Sequence, residues 1–471
     1  MAKSQAEAVK PPKEKIDPGI LKIALILVLG AIVPLLDSTM INVAINTLAV
    51  DLHSSVSATQ WVITGYVLTM GLAVPVSGWA IQRFGGKNVY LFSLWVFFIS
   101  SLLCSLAWNT GSLIGFRLLQ GAGAGLLVPT VQNVLVQSAG GQGLGRLIAI
   151  ISIPTLIGPI LGPVIGGLIM DNMSWRWIFY VNIPIMLVAL WLSWRHLPKG
   201  EAAANKPKFD TIGLLLLSPA FASLIYGISQ ISSASSAKTL VPLAAGIVLM
   251  AAYIAYALRS SKSPLLDLHL FRSRHFLASN VILFFTSMVM NGALLLLPLY
   301  YEQVRGESVL ATGLLLIPQG VGMLLTRSWI GGMSDRVGSR NIVFISLVIT
   351  LAASIPFAFA GTDTSHILLG AAQFVRGAAM NGIFIPIMVS AYEGLRKEQI
   401  PHASISTRIF QTIGGAFGSA VLATVIGHQL KHGTEVSLAS LAAAYQVAFW
   451  WSVGFAAVCF LPIMFLSNRR K

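Results

Sequence analysis

The sequence predicts an all-α polytopic membrane protein of fourteen helices, arranged as two six-helix halves with an inserted helix pair between them. Three observations carry the prediction. The chain of 471 residues is 55% hydrophobic and only 10% charged, with a mean hydropathy of +0.78, whereas soluble domains carry about 25% charged residues. Apolar runs recur from end to end, each long enough (roughly 20 residues) to cross a ~30 Å hydrocarbon core as a helix. They lack the alternation of a barrel strand, and lipid forces backbone groups to be satisfied internally. Finally, one short cassette occurs twice: Gly78–Asn88, GWAIQRFGGKN, returns 253 residues later as Gly331–Asn341, GGMSDRVGSRN.

The elements follow in order. Residues 1–19 form a polar, lysine-rich tail, and the apolar span after it is too long for a signal-peptide core. The first half, 20–196, holds spans near 20–47, 58–80, 88–108, 112–135, 144–169 and 176–195. Residues 197–275 comprise two basic linkers, PKGEAAANKPKFD and RSSKSPLLDLHLFRSRH, around spans near 211–229 and 240–259. These two spans carry few polar side chains, which suits a lipid-facing insertion. The second half, 276–471, holds spans near 276–301, 309–332, 341–360, 365–392, 403–427 and 443–467.

An even number of spans puts both termini on one side. Of 31 Lys and Arg residues, 24 fall on that side; only Arg176, Lys238, Arg305 and Lys431 fall opposite, and Arg117, Arg327 and Arg376 lie within spans. The positive-inside rule then makes both termini cytoplasmic. The net charge of +15 therefore reflects topology and contact with anionic lipid, and no nucleic-acid partner is expected. Cys104 and Cys459 both sit in apolar runs and show no metal-binding or disulfide spacing. GAGAG at Gly121–Gly125 falls in mid-helix, where it is a small packing face. No Walker sequence, nucleophile elbow or metal motif is present, so an enzyme is not expected, and neither is a cofactor or a metal.

The cassette joins the second span to the third and the tenth to the eleventh. A second pair of segments supports the repeat: FRLLQGAGAGLLVP from Phe116 and AQFVRGAAMNGIFIP from Ala372. Parallel repeats of this kind build transporters that rock around a site near the bilayer midplane. The cassette resembles the loop signature of the major facilitator superfamily, Gly-x-x-x-Asp-Arg-x-Gly-x-Arg/Lys. Gly78, Arg83, Gly85 and Lys87 answer it in the first copy, and Asp335, Arg336, Gly338 and Arg340 in the second; Gln82 stands where the first copy lacks the acid. The 6+2+6 order resembles the family's 14-helix drug:proton antiporter branch. So do LDSTMINVAI (Leu36–Ile45), GPILGPVIGG (Gly158–Gly167) and WRWIFYVNIP (Trp175–Pro184).

Asp37 is the only carboxylate deep within a span. A charge at that depth costs several kcal/mol unless paired or hydrated, so it marks a functional site. Its alternative role is a fixed strut between helices. Depth counting offers Arg117 as partner, since the two positions differ by roughly 6 Å along their helices; the alternative is an Arg that snorkels outward. The resemblance implies proton or cation coupling for both residues. In the second half Gln373 stands at the place of Arg117 and Arg376 at that of Gln120. Arg327 is expected to snorkel toward the cytoplasm, with a cavity role as the alternative.

Gly158, Gly162 and Gly166 share one helix face, which permits close backbone approach, and Pro159 and Pro163 favour a bend. Tight packing explains them physically; with Gly167 they match an antiporter signature that the family uses to seal the halves. Asn42, Trp61, Tyr66, Asn291, Gln319, Asn381 and Gln411 are candidates to line a substrate cavity, with interhelical hydrogen bonding or core packing as the alternative for each. In the family the cassette acid braces the cytoplasmic face, so the resemblance implies a weaker lock in the first half, where Gln82 keeps a hydrogen-bonding group but loses the charge; neutral drift at a loop end is the alternative.

Together the residues and the resemblance lead to the expectation of a proton-coupled antiporter. It would export amphipathic organic compounds or drugs across the bacterial-type cytoplasmic membrane, driven by the proton gradient. The expected partners are a small amphipathic substrate, protons and the lipid bilayer, with a monomeric carrier as the working expectation. Two other functions fit the same residues: export of one specific metabolite or lipid-like molecule, and a non-transporting sensor of the same fold.

Overall fold

The computed structural model describes residues 17–54, 56–59, 61–139, 144–151, 153–198, 210–229, 236–259, 266–307, 309–431 and 437–466. These residues are helical almost throughout. The first six spans are α1 (Pro18–Val43), α2 (Trp61–Phe84), α3 (Gly86–Ser105), α4 (Thr110–Ala139), α5 in two segments (Leu144–Ile151 and Ile153–Asn172) and α6 (Asn182–His196). The inserted pair is α7 (Thr211–Ser229) and α8 (Ser236–Arg259). The last six are α9 (Arg274–Leu299), α10 (Val309–Val337), α11 (Ser339–Ala358), α12 (His366–Tyr392), α13 (Ile400–Lys431) and α14 (Leu438–Val458). Twelve helices among the described residues are long and apolar enough to cross a membrane by length and composition. α5 and α10 fill the two remaining predicted places.

Boundaries differ from the sequence expectation where capping groups decide them. Asp17 accepts a hydrogen bond from Gly19 N (2.7 Å) with Pro18 at the first helical position, so α1 starts two residues early. It ends at Val43, and a short helix, Ile45–Asp51, takes over the rest of the expected span. Ser437 and Ser440 form a reciprocal capping box that starts α14 at Leu438. A π-turn, Tyr300–Val304, extends α9.

The two halves repeat one packing scheme. α2 lies on α4 as α10 lies on α12; α1 pairs with α5 as α9 pairs with α13; α3 and α11 flank α4 and α12. Glycines set the closest approaches. A Cβ at Gly121 would overlap the carbonyl of Tyr66 on α2, and a Cβ at Gly377 would overlap the carbonyl of Gln319 on α10. Tyr66 and Gln319 are 253 residues apart, the same spacing as the cassettes. The inserted α7 packs against α2 and α13, bridging the two halves, and α8 pairs with α7.

The cassette glycines have a backbone reason. Gly85 caps α3 at φ 81°, ψ 148°, and Gly338 caps α11 at φ 90°, ψ 153°. This region is costly for any side chain, so both copies need glycine to turn the chain between helices.

Candidate functional site

The first half encloses one buried ion pair, drawn from five of its helices. Nη1 of Arg117 (α4) donates to Oδ2 of Asp37 (α1), and both side chains are 0% exposed. The other carboxylate oxygen accepts from Asn182 Nδ2 on α6 at 2.9 Å and from Gln120 Nε2 on α4 at 3.4 Å. Gln120 also donates to Ser101 Oγ on α3 at 2.7 Å and accepts from Arg117 Nη1 at 2.6 Å. Arg117 Nε donates to the carbonyl of Val62 on α2 at 3.2 Å, and its guanidinium lies over the Tyr66 ring, 4.2 Å from the centroid. Nη2 has no hydrogen-bond acceptor; the aromatic face offsets part of that loss.

This geometry decides between several sequence-level alternatives. Arg117 does not snorkel; it is sealed against Asp37. Both oxygens of Asp37 are occupied, so no open face of the carboxylate meets the space between the halves. Asn182, Gln120 and Ser101 complete the site, and sequence reasoning did not assign them as its ligands. Asn182 does lie within the WRWIFYVNIP stretch, and that was the available signal.

The second half has no equivalent pair among the described residues. Gln373, at the place of Arg117, donates to Tyr301 Oη at 2.9 Å. Arg376 is 2% exposed and makes one long hydrogen bond, Nη2 to the Val289 carbonyl at 3.4 Å, while its Nε has no acceptor. Arg327 corrects the expectation: at 4% exposure it is buried, and it does not reach the aqueous boundary.

The cavity candidates separate. Tyr66 belongs to the Asp37 site, buried under Arg117 with its hydroxyl donating to the Pro34 carbonyl at 3.4 Å. Asn381 Nδ2 donates to the Met323 carbonyl and, at 3.2 Å, to Thr326 Oγ1, tying α12 to α10. Gln411 is buried and contacts Met388 Sδ at 3.4 Å. Trp61 stacks on Tyr226 of α7 with centroids 6.1 Å apart. Asn291 is exposed and Gln319 half-buried, while the side chain of Asn42 lies outside the described residues. One residue was missed: Arg408, grouped from sequence with the charges on the side of the termini although the expected span near 403–427 contains it, sits eight positions into α13. That places it about 12 Å along the helix. It is half-buried, on a helix that packs against α2 and α4 of the first half.

On the side of the termini the halves touch. Gln82 Nε2 donates to the Glu398 carbonyl at 3.3 Å and lies 2.9 Å from His402 Nε2. A Cβ at Gly78 would overlap Ile405 of α13. Lys87 Nζ caps the end of α6, donating to the carbonyls of Trp194 and Leu197 at 2.7 Å each. Arg83 lies over the Phe84 ring, 5.9 Å from its centroid, and Arg340 is half-buried. The side chains of Asp335, Arg336, Pro159 and Pro163 lie outside the described residues. Gly158, Gly162 and Gly166 face Leu35, Thr39 and Met40 of α1, whereas Gly167 faces open space. The glycine stripe thus packs α5 on α1 inside one half. Among the described residues no cluster of His, Cys, Asp and Glu could hold a metal.

Comparison with known proteins gives concordant results. The family model described as Major Facilitator Superfamily matches residues 27–419. The chain is 34% identical over 431 residues to a multidrug resistance protein B homolog of Mycobacterium tuberculosis, covering 90% of this chain and 80% of that protein. It is 29% identical over 403 residues to the multidrug export protein EmrB of Escherichia coli, covering 84% of this chain and 78% of that one. Among solved structures, a double-Trp mutant of XylE superposes with a TM-score of 0.68 at 15% identity, over 96% of each chain. The human organic anion transporter MFSD10 superposes with a TM-score of 0.64 at 16% identity, over 96% of this chain and 100% of that one. At such identities the likeness is one of fold.

Proposed function

The chain belongs to the major facilitator superfamily, and on that premise we propose that it exports amphipathic organic compounds in exchange for protons by alternating access. Its relatives, a multidrug resistance protein B homolog and the multidrug export protein EmrB, support multidrug export. The observation that carries the proton half of the proposal is the sealed Asp37–Arg117 pair. A carboxylate with both oxygens occupied has no room for a substrate cation, but it can accept a proton. Asp37 is therefore the coupling group, and Arg117, Asn182 and Gln120 position it.

Protonation would leave the Arg117 guanidinium without its counter-ion. Uncompensated buried charge is strongly destabilising, so the protonated protein favours a conformation in which Arg117 is rehydrated or re-paired. α2 can transmit that change. Val62 and Tyr66, near one end of the helix, touch Arg117, and Gly78 and Gln82, near the other, touch the second half. In this scheme both termini are cytoplasmic, the Gln82–His402 contact is part of the cytoplasmic closure, and the proton gradient supplies the energy.

Reconstituted liposomes test the proposal. An imposed proton gradient should drive movement of an amphipathic dye, with protons flowing the opposite way. Asp37→Asn should abolish the gradient-driven component; robust gradient-driven movement in that variant would overturn the role given to Asp37. Dye movement without proton movement in the unaltered protein would overturn antiport itself.

A further inference from the structure

Asp37 and the half-buried Arg408 lie in different halves of this carrier. Asp37 is enclosed within the first half, reached through Arg117, Asn182 and Gln120. Arg408 belongs to the second half and is half-buried. Among the described residues its guanidinium has no hydrogen bond and no ion pair, and the helix that carries it packs against α2 and α4 of the first half. It stands one turn above Ile405, which packs onto Gly78 of α2, and beside Ile409 in the apolar cluster that joins α2, α7 and α13. Arg408 is thus at the junction of the halves, immediately above their contact on the side of the termini.

The surroundings complete a binding surface. Thr412 and Ser419 follow Arg408 on the same face of α13, at helical spacings of four and eleven residues, and both are half-buried. Asn291 of α9 lies against Gly415, between those two positions. It is exposed and spends one N–H on the Ser287 carbonyl at 3.0 Å, which leaves its second N–H free to donate. A guanidinium keeps its charge throughout the physiological range, and partly burying it without a partner is costly. Asp37, the acid buried deep in the first half, does not offset that cost, because it is already committed to Arg117.

We infer that Arg408 anchors an anionic group (a carboxylate or sulfonate) of an amphipathic substrate, with Asn291, about 10 Å further along α13 at Gly415, meeting a polar part of the same molecule, so that the preferred cargo is a hydrophobic organic anion. This rests on the export reading above and names its substrate class. Substrate and proton then occupy separate sites, Arg408 and Asp37, coupled through the conformational change rather than by direct competition. A one-for-one exchange of an anion outward for a proton inward also moves net positive charge inward, so membrane potential as well as the pH difference drives it.

The test uses the full chain in liposomes and three probes: 8-anilinonaphthalene-1-sulfonate, the similar but uncharged N-phenyl-1-naphthylamine, and the cation ethidium. Probe-dependent proton movement gives a half-saturating concentration for each. The wild type should respond to the sulfonate at the lowest concentration. Arg408→Gln should raise that concentration about tenfold or more, the scale of a charge-assisted contact. It should leave the uncharged probe within about twofold, and Arg408→Lys should recover part of the loss. Equal weakening for all three probes, or an unchanged response to the sulfonate, overturns the assignment. Should Arg408→Gln fail to fold, the wild-type order decides: a preference for ethidium or for the uncharged probe overturns it. Proton movement with none of the three overturns the export reading itself, and this assignment with it.

Discussion

Replacing the two members of the buried pair singly and together should show strong coupling. Asp37→Asn keeps the shape but leaves Arg117 charged and fully buried, and removing one partner of a buried pair costs about 3–5 kcal/mol. Part of that is offset here: Arg117 retains the Val62 carbonyl at 3.2 Å, Gln120 at 2.6 Å and the Tyr66 face at 4.2 Å, so about 3 kcal/mol is expected. Arg117→Met is milder, because the orphaned carboxyl can take up a proton and keeps Asn182 and Gln120; about 1–2 kcal/mol is expected. The double variant carries no buried charge and should cost no more than Asp37→Asn alone. The coupling energy is then at least about 1–2 kcal/mol, beyond the ~0.5 kcal/mol scatter of independent sites. Unfolding of the purified chain in mixed detergent–SDS micelles measures all four proteins. Additive costs would refute the claim that these groups stabilise one another, and with it the idea that protonating Asp37 destabilises this conformation.

Four further outcomes are expected. Asn182→Ala removes the 2.9 Å donor to Asp37 and should cost about 1–3 kcal/mol of stability; dye-coupled proton flux in liposomes should also fall, and unchanged flux would remove Asn182 from the site. Gly162→Ala would drive a methyl into Thr39 Oγ1 of α1, with about 1–3 kcal/mol of overpacking. A melting temperature matching the unaltered chain would show that α5 can retreat from α1. Lys87→Ala deletes two hydrogen bonds to the end of α6, one of them solvent-exposed, so the loss should be near 1 kcal/mol, read as a small drop in melting temperature. Gln82→Asp places a carboxylate beside His402, 2.9 Å from the present amide nitrogen, and should tighten that contact. Asn291→Cys should then label faster against a low background, since Cys104 and Cys459 are buried; an unchanged rate would argue that this contact does not bias access.

The ion pair was legible because charges in apolar spans are so few that depth counting alone matches Asp37 with Arg117. Its other ligands were not. Ser101, Gln120 and Asn182 are ordinary polar residues; the rotations of α4 and α6 that aim Gln120 and Asn182 at Asp37, and of α3 that sets Ser101 against both, come from packing rather than from any one helix's own sequence. Arg408 falls within the expected span near 403–427 but close to its end, so its charge reads with those on the side of the termini; α13 begins at Ile400, which sets it two turns into the helix. Arg327 was misjudged because snorkelling is the usual fate of a long cation near a helix end, and here neighbouring helices bury it. Gln82 reads from sequence as a missing charge. Its partner, His402, lies 320 residues away, with no local signal to announce it.

The seats made by Gly121 under Tyr66 and by Gly377 under Gln319 leave no clearance for sliding. α2 with α4, and α10 with α12, are therefore girders of fixed spacing. For anyone measuring motion in this molecule they are built-in length standards: a pair of spectroscopic labels along either girder should read one distance in every state. A label pair spanning Gln82 and His402 should not, and the two standards, one in each half, let its change be divided between tilt of a half and bending within it.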